Sequence, residues 1–391
     1  MKLNIGGGKK TIKGYKTIDR ANGQEAFPLP NKDNSVDEIY ASHVLEHFPH
    51  GQLLPVLQDW VRTLKPGGRV RLAVPNLRWI AQQQLALDKY DGKAGMLAAF
   101  LMGGQTDAND FHHSTFTPEQ MTALMETAGL ESVRPFTAEY DDCSKLPVSL
   151  NMCGWKPDPY IAKRMDAVLC MTVPRLGFMD NMFRAAQVAG RLAMPLDKCT
   201  GAFWCQGLTK VIQKRIDAGA GIIVTLDYDT VFEPQDVVAL LRILEQNPEV
   251  DAVCACQFKR EADSMLLCCL DDAGEVRTNL TIADFRTPDT TPISYGHFGL
   301  TAIRADKLRE LPHPWMHGHP NDEGRWEDGR VDPDIAFWQA WAAAGNSLHS
   351  ANWVKVGHME LQVTWPSPTF ERMTQSIGDY EANGKPMGAR I

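Results

Sequence analysis

The stretch from Gly221 to Pro234, GIIVTLDYDTVFEP, is apolar at five of its first six positions and then sets Asp227 and Asp229 one residue apart. A short unbroken apolar run bounded by turn residues predicts a strand buried on both faces, as in a parallel sheet. In open sheets of that kind ligands bind outside the carboxyl ends of the strands, which is where the two acids fall. If the chain stays extended, residues i and i+2 point the same way, about 6 to 7 Å apart along the backbone. Two like charges so placed call for a cation between them. Mg2+ or Mn2+ suits carboxylate oxygens and would also carry a diphosphate. Taken alone, the pair reads more readily as a surface turn that happens to hold two acids.

On either side of this stretch, strand and helix signals alternate. DAVLCMTVP (166–174) predicts a strand, DNMFRAAQVAGRL and FWCQGLTKVIQKRIDAG predict helices, PQDVVALLRILEQ a helix with Pro234 in its first turn, and VDAVCACQF a further strand. Upstream, NMCGWKPDPYIAKRM (151–165) breaks the periodicity with Gly154, Pro157 and Pro159, marking a boundary. Before it, short strands are predicted at Lys2 to Ile5, entering Gly6, Gly7 and Gly8, at Tyr15 to Ile18, ending at Asp19, and at Val36 to Ala41. LLPVLQDWVRTL then has helical spacing, and GGRVRLAVPN is strand-like. Strand alternating with helix implies largely parallel sheets.

A chain of 391 residues is long for one core, and 44% hydrophobic with 23% charged residues is ordinary for a globular protein. A net charge of −8 argues against a surface that grips nucleic acid throughout. There is no signal-like segment and no run of about 18 apolar residues, so the expected location is cytoplasmic without a membrane span. The nine cysteines match no paired zinc pattern and read as reduced thiols. His43, Glu46 and His47 in ASHVLEHF, with His112 and His113, admit a metal or acid/base role as well as plain packing and capping.

Four stretches in order, DAVLCMTVP, LDYDTVF, GHFGLTAIRADKL and DPDIAFWQAWAAAGNSLHSANWVKVGH, resemble the type A fold of nucleotide-sugar glycosyltransferases over roughly residues 165 to 365. The resemblance implies that Asp227 and Asp229 hold a metal (Mn2+ or Mg2+) and the sugar nucleotide, with His358 a third metal ligand. It makes Asp334 the general base on a hydroxyl acceptor, Asp332 the rival base, and Gly299 the small residue beside the acceptor. Both Asp332 and Asp334 also read as helix N-caps. The acceptor class, whether glycan, lipid, protein or nucleic acid base, stays open.

LNIGGGKKTIKGYKTIDR, with SVDEIYASHVLEHF, LKPGGRVRLAVPNL and FHHSTFTPEQMTALMETAGL, resembles class I S-adenosylmethionine-dependent methyltransferases over about residues 1 to 138. It implies that Gly6 and Gly8 let the backbone approach the cofactor and that Asp19 takes the ribose hydroxyls. Lys9 and Lys10 depart from the usual small residues after the turn. The expected fold is α/β with two doubly wound domains: a Rossmann-like methyltransferase fold over 1–155, a type A glycosyltransferase fold over 160–370, and a loose tail over 371–391. The leading expectation is a metal-dependent glycosyltransferase with an attached methyltransferase module. The alternative is an S-adenosylmethionine-dependent methyltransferase carrying a non-catalytic transferase-like domain.

Overall fold

The structure is a computed structural model that describes residues 1–8, 10–87, 89, 92–107, 109–174, 177–201, 203–260, 264–270, 276–277, 280 and 289–387. The chain divides into two units, one from Met1 to Asp158 and the other from Pro159 onward.

The first unit holds β1 (Lys2–Ile5), β2 (Tyr15–Ile18), β3 (Val36–Ser42), β4 (Leu64–Pro75), β5 (Glu131–Pro135) and β6 (Ser149–Trp155), in the sheet order β2-β1-β3-β4-β6-β5. The first four strands run parallel, whereas β6 is antiparallel to both β4 and β5. The sheet is therefore mixed where a largely parallel one was expected. The helix Leu53–Thr63 places Val56, Leu57 and Trp60 at helical spacing in the core with Leu3, Ile5 and Ile39. Met121 and Met125 of the helix Pro118–Thr127 join the same core.

Part of the expected boundary is in fact strand. Gly154 sits in β6 opposite Val70, and a Cβ there would come within 3.1 to 3.3 Å of Val133, Leu130 and Met125. That glycine sits in a tightly packed strand and marks no loop.

In the second unit the elements are β7 (Ala167–Val173), β8 (Leu196–Thr200), β9 (Ile222–Asp227), β10 (Thr230–Val231), β11 (Ala252–Cys256), β12 (Cys269–Leu270), β13 (Val276–Arg277), β14 (Thr290–Pro292), β15 (Leu300–Arg304), β16 (Leu348–Lys355), β17 (Gly357–His358), β18 (Gln362–Pro366) and β19 (Arg372–Ser376). Seven of them form one sheet in the order β14-β16-β11-β15-β9-β7-β8. β7 is parallel to β8 and β9, β11 is parallel to β16, and β15 runs antiparallel between β9 and β11. Residues 222 to 226 of β9 are all buried, as an apolar run covered on both faces must be.

The aromatic ring of Phe298 stacks on Trp338, with centroids 5.4 Å apart, and the Trp338 indole donates to the Gly296 carbonyl at 2.7 Å. These contacts seat the helix Pro333–Ala343, which carries Asp334. The expected tail is not loose over its described part. β19 pairs with β18, and Ile377–Asn383 is helical with Ser376 as its N-cap. All nine cysteines are free, and no helix among the described residues is long and apolar enough to cross a membrane.

Candidate functional site

At the carboxyl end of β1 the chain turns through Gly6 (φ +68°) and Gly8 (φ +55°), and a Cβ on Gly6 would lie 2.3 Å from Val44 Cγ2. Only glycine meets both demands. Asp19, just past β2, binds this turn: one carboxylate oxygen accepts from the Gly8 amide at 2.8 Å and the other from the Ala21 amide at 2.8 Å. Gly6, Gly8 and Asp19 are thus brought together as expected. No helix follows β1 among the described residues before β2 begins. The partial positive charge of a helix N-terminus is therefore not aimed at this turn.

A cavity of about 520 Å³ opens here, lined among others by Gly6, Ile18, Asp19, His43 and His47. That volume lies within the ~300 to 1,000 Å³ range of small-molecule sites. Arg20 on its rim is engaged by Glu25 at 2.9 Å and Asn109 at 2.7 Å. Lys10 reaches away to the Asp141 carbonyl at 2.9 Å, and Lys9 lies outside the described residues.

The second site forms at the carboxyl end of β9. Here the extended geometry expected for the acid pair does not hold, because β9 stops at Asp227 and Asp229 sits in the turn that follows. Both acids nonetheless line one cavity of about 320 Å³, with Tyr228, Trp204 and Arg260. Burial, and then the charge of Asp229, push the Asp227 carboxyl up to about 6. β10 pairs with β17, bringing His358 opposite Thr230 and beside Asp229.

Asp229 is only 2% exposed, and its Oδ2 lies 3.0 Å from the Arg260 guanidinium and 3.4 Å from His358 Nε2. Arg260 Nε lies 3.1 Å from that same Nε2, while His358 Nδ1 donates to the Phe258 carbonyl at 3.0 Å. The hydrogen bond to Asp229 raises the His358 pKa.

Two carboxylates and an imidazole are chemically suited to Mn2+ or Mg2+, but the arrangement does not fit the ion. Arg260 already stands against Oδ2 of Asp229 and Nε2 of His358, the two atoms that face each other there. The ligand atoms of Asp227, Asp229 and His358 also fail to converge within 4.8 Å of one another. The expected metal set is corrected accordingly: the cation beside the acids is a side chain of this protein. Sequence reasoning missed Arg260, which comes from the irregular segment after β11 and carries no periodic signal.

Neither Asp332 nor Asp334 lines this cavity. Asp332 occupies the N-cap position of the helix Pro333–Ala343 without a side-chain capping bond and instead pairs with Arg330 at 3.0 Å. Asp334 accepts from the Ile335 amide at 3.0 Å, and burial raises its pKa.

Gly299 has a different role from the acceptor approach expected of it. A Cβ there would lie 2.5 Å from Gln257 Oε1, 2.7 Å from His297 Nδ1 and 2.9 Å from Thr230 Oγ1, so internal packing excludes any side chain. His297 is 6% exposed, donates from Nε2 to the Ala255 carbonyl at 2.8 Å and accepts at Nδ1 from the Gly299 amide at 3.0 Å. Burial pushes its pKa down to about 4. The unfolded chain binds a proton near 6.5 and the folded one does not, so stability is full above pH 6.5 and falls as pH drops toward 4. The second unit is expected to lose on the order of 2 kcal/mol across that window. Urea midpoints at pH 7 and pH 4.5 measure it, and His297→Gln should flatten much of the difference.

A family model described as a methyltransferase domain matches residues 13–134, within the first unit and beginning just past the glycine turn. No curated protein matches the chain. Among solved structures, A197 from STIV aligns at 13% identity over 57% of this chain and 97% of its own, with a TM-score of 0.34. A SAM-dependent methyltransferase from Methanosarcina mazei aligns at 17% identity over 40% and 92%, with a TM-score of 0.30. A SAM-dependent methyltransferase from Thermotoga maritima, described as a possible histamine N-methyltransferase, aligns at 16% over 40% and 81%, with a TM-score of 0.27. Superpositions at these scores carry no argument. Residues 13–134 are thus similar to a methyltransferase domain, and the sheet they contribute to is a mixed, Rossmann-like one.

Proposed function

We propose that the first unit binds S-adenosylmethionine in the cavity beside Gly6 and Asp19 and transfers its methyl group to a nucleophilic acceptor. The observation that carries this reading is the glycine turn of β1 bound by the acid at the end of β2 and opening on a cavity of small-molecule size. A cationic sulfonium is compatible with a site whose turn leads into no helix N-terminus among the described residues and whose Lys10 is engaged elsewhere. In the transfer the carbon–sulfur bond breaks as the bond to the acceptor forms. S-adenosylhomocysteine remains, and the acceptor's proton leaves to water.

For the second unit we propose a second activity, transfer of a sugar from a nucleotide donor to a hydroxyl, resting on the cavity that Arg260, Tyr228 and Trp204 line. Arg260 would meet the diphosphate, and the ring faces of Tyr228 and Trp204 would line the base or sugar. Asp334 lies outside that cavity; with its pKa raised by burial, it would take the proton of an acceptor that reaches the start of the helix Pro333–Ala343. Because Arg260 supplies the positive charge, binding of a nucleoside diphosphate should need no divalent ion. Arg260→Ala is expected to weaken uridine or guanosine diphosphate about tenfold, the scale of one charge-assisted contact. Calorimetry with and without a chelator checks both statements.

Thermal melts of the full chain against S-adenosylmethionine, S-adenosylhomocysteine and a panel of nucleotide sugars test the two readings together. A ligand at 100 times its Kd stabilises by about 2.7 kcal/mol. A rise with either adenosyl ligand supports the first reading and a rise with a nucleotide sugar the second, while no rise with any adenosyl ligand defeats the first.

A further inference from the structure

The first unit contains a group of side chains that neither proposed reaction uses. Glu46 follows β3 and is fully buried, neither of its carboxyl oxygens has a side-chain hydrogen-bond partner among the described residues, and burial pushes its pKa up to about 8. His43 Nδ1 stands 3.3 Å from Oε1 but brings no proton. Its Nε2 lies 3.2 Å from Ser149 Oγ, whose own hydrogen goes to Asn151 Oδ1 at 3.0 Å. The ring proton is therefore on Nε2, and Nδ1 presents a lone pair to the carboxylate.

Two more imidazoles face the same place. His47 Nδ1 donates to the Phe111 carbonyl at 3.0 Å, and His112 Nδ1 donates to the Phe100 carbonyl at 3.0 Å. A carbonyl can only accept, so in both rings the proton is on Nδ1 and Nε2 is left with its lone pair. A ring whose far N–H is held by a carbonyl is the arrangement by which proteins orient a metal-binding histidine. One ligand atom each from Glu46, His47 and His112 lies within 4.8 Å of the other two. The two rings meet edge to face with centroids 4.9 Å apart.

The group is held by backbone as well. The amides of His113 and Ser114 both donate to the Glu46 carbonyl, at 2.8 and 3.2 Å, fixing the His112 loop against the segment that carries Glu46 and His47. A buried carboxyl group and two imidazoles thus stand together without a cation to share, and a bound cation would draw the Glu46 proton off and hold all three.

We propose that Glu46, His47 and His112 bind one divalent transition-metal ion, with zinc the best match to a carboxylate and two imidazoles. Ligand atoms around zinc stand about 3 to 3.5 Å apart, so the three side chains close by roughly 1 Å on binding. His47 also lines the 520 Å³ cavity, which places the ion site next to the molecule held there. The inference rests on this cluster alone and is independent of the identity of that molecule.

Titrating zinc chloride into the chelator-stripped full chain, against a competing chromophoric chelator, tests it. One zinc per chain is expected. His112→Ala and Glu46→Gln should each weaken it at least about 30-fold, while Asp229→Asn, in the second unit, leaves it unchanged. Cobalt in place of zinc should give a visible d–d band in the parent that His112→Ala abolishes. If Glu46→Gln fails to fold, His47→Ala takes its place, with folding checked by circular dichroism. No zinc in the parent, unchanged affinity in folded His112→Ala and His47→Ala proteins, or loss of zinc on Asp229→Asn would each overturn the proposal.

Discussion

Asp19→Ala is expected to lower the affinity for S-adenosylhomocysteine by about 100-fold. The side chain holds two backbone amides, those of Gly8 and Ala21, and so fixes the turn that the cofactor's backbone contacts need. Loss of those bonds, together with a ribose contact, removes roughly 3 kcal/mol when hydrogen bonds to a charged group are worth ~1.5 to 3 kcal/mol each. Asp19→Asn separates the two contributions. Its remaining oxygen can still cap Ala21, as asparagine does well, while the bond to Gly8 is lost, so an intermediate affinity is expected. Calorimetric titration of the three proteins measures the series. Equal affinity in all three would place the ligand elsewhere.

In the second unit the larger effect belongs to Asp334. If it takes the acceptor's proton, Asp334→Asn should leave nucleotide binding within about twofold of the parent and lower sugar transfer by ~100- to 10,000-fold, the range for a positioned general base. The helix should survive, because asparagine can still accept the Ile335 amide. A silent Asp334→Asn with an inactive Asp332→Asn would move the role across Pro333 to Asp332, which is held by Arg330 at the start of the same helix. Initial rates with saturating donor separate these results.

How much of this could be read beforehand depended on whether a local pattern carried it. Residues 222 to 226 announced a buried strand because both faces of β9 are covered, and Gly6, Gly8 and Asp19 were legible because a tight turn and a strand-end acid leave their mark in the sequence itself. Ser149–Trp155 was obscured by Gly154, a residue that reads as a breaker but packs closely against Val133 and Leu130. β18 and β19 were hidden in a polar, proline-bearing stretch where alternation is weak.

The acids of the second unit were found, but their charge balance was not. Arg260 lies 31 positions from Asp229, in a segment without periodicity, and only the folded chain brings it to the carboxylate. The Glu46 cluster was half visible as ASHVLEHF. What separates a ligand set from a packing set is the orphaned carboxylate and the two carbonyls that fix the ring protons, and those belong to the fold.

The central claim is that the first unit holds an adenosyl cofactor at the turn between β1 and β2. Calorimetric titration of S-adenosylhomocysteine into the full chain tests it most directly. Saturable binding of one molecule per chain is expected, lost in Asp19→Ala. The absence of binding at millimolar ligand in the folded parent would contradict it.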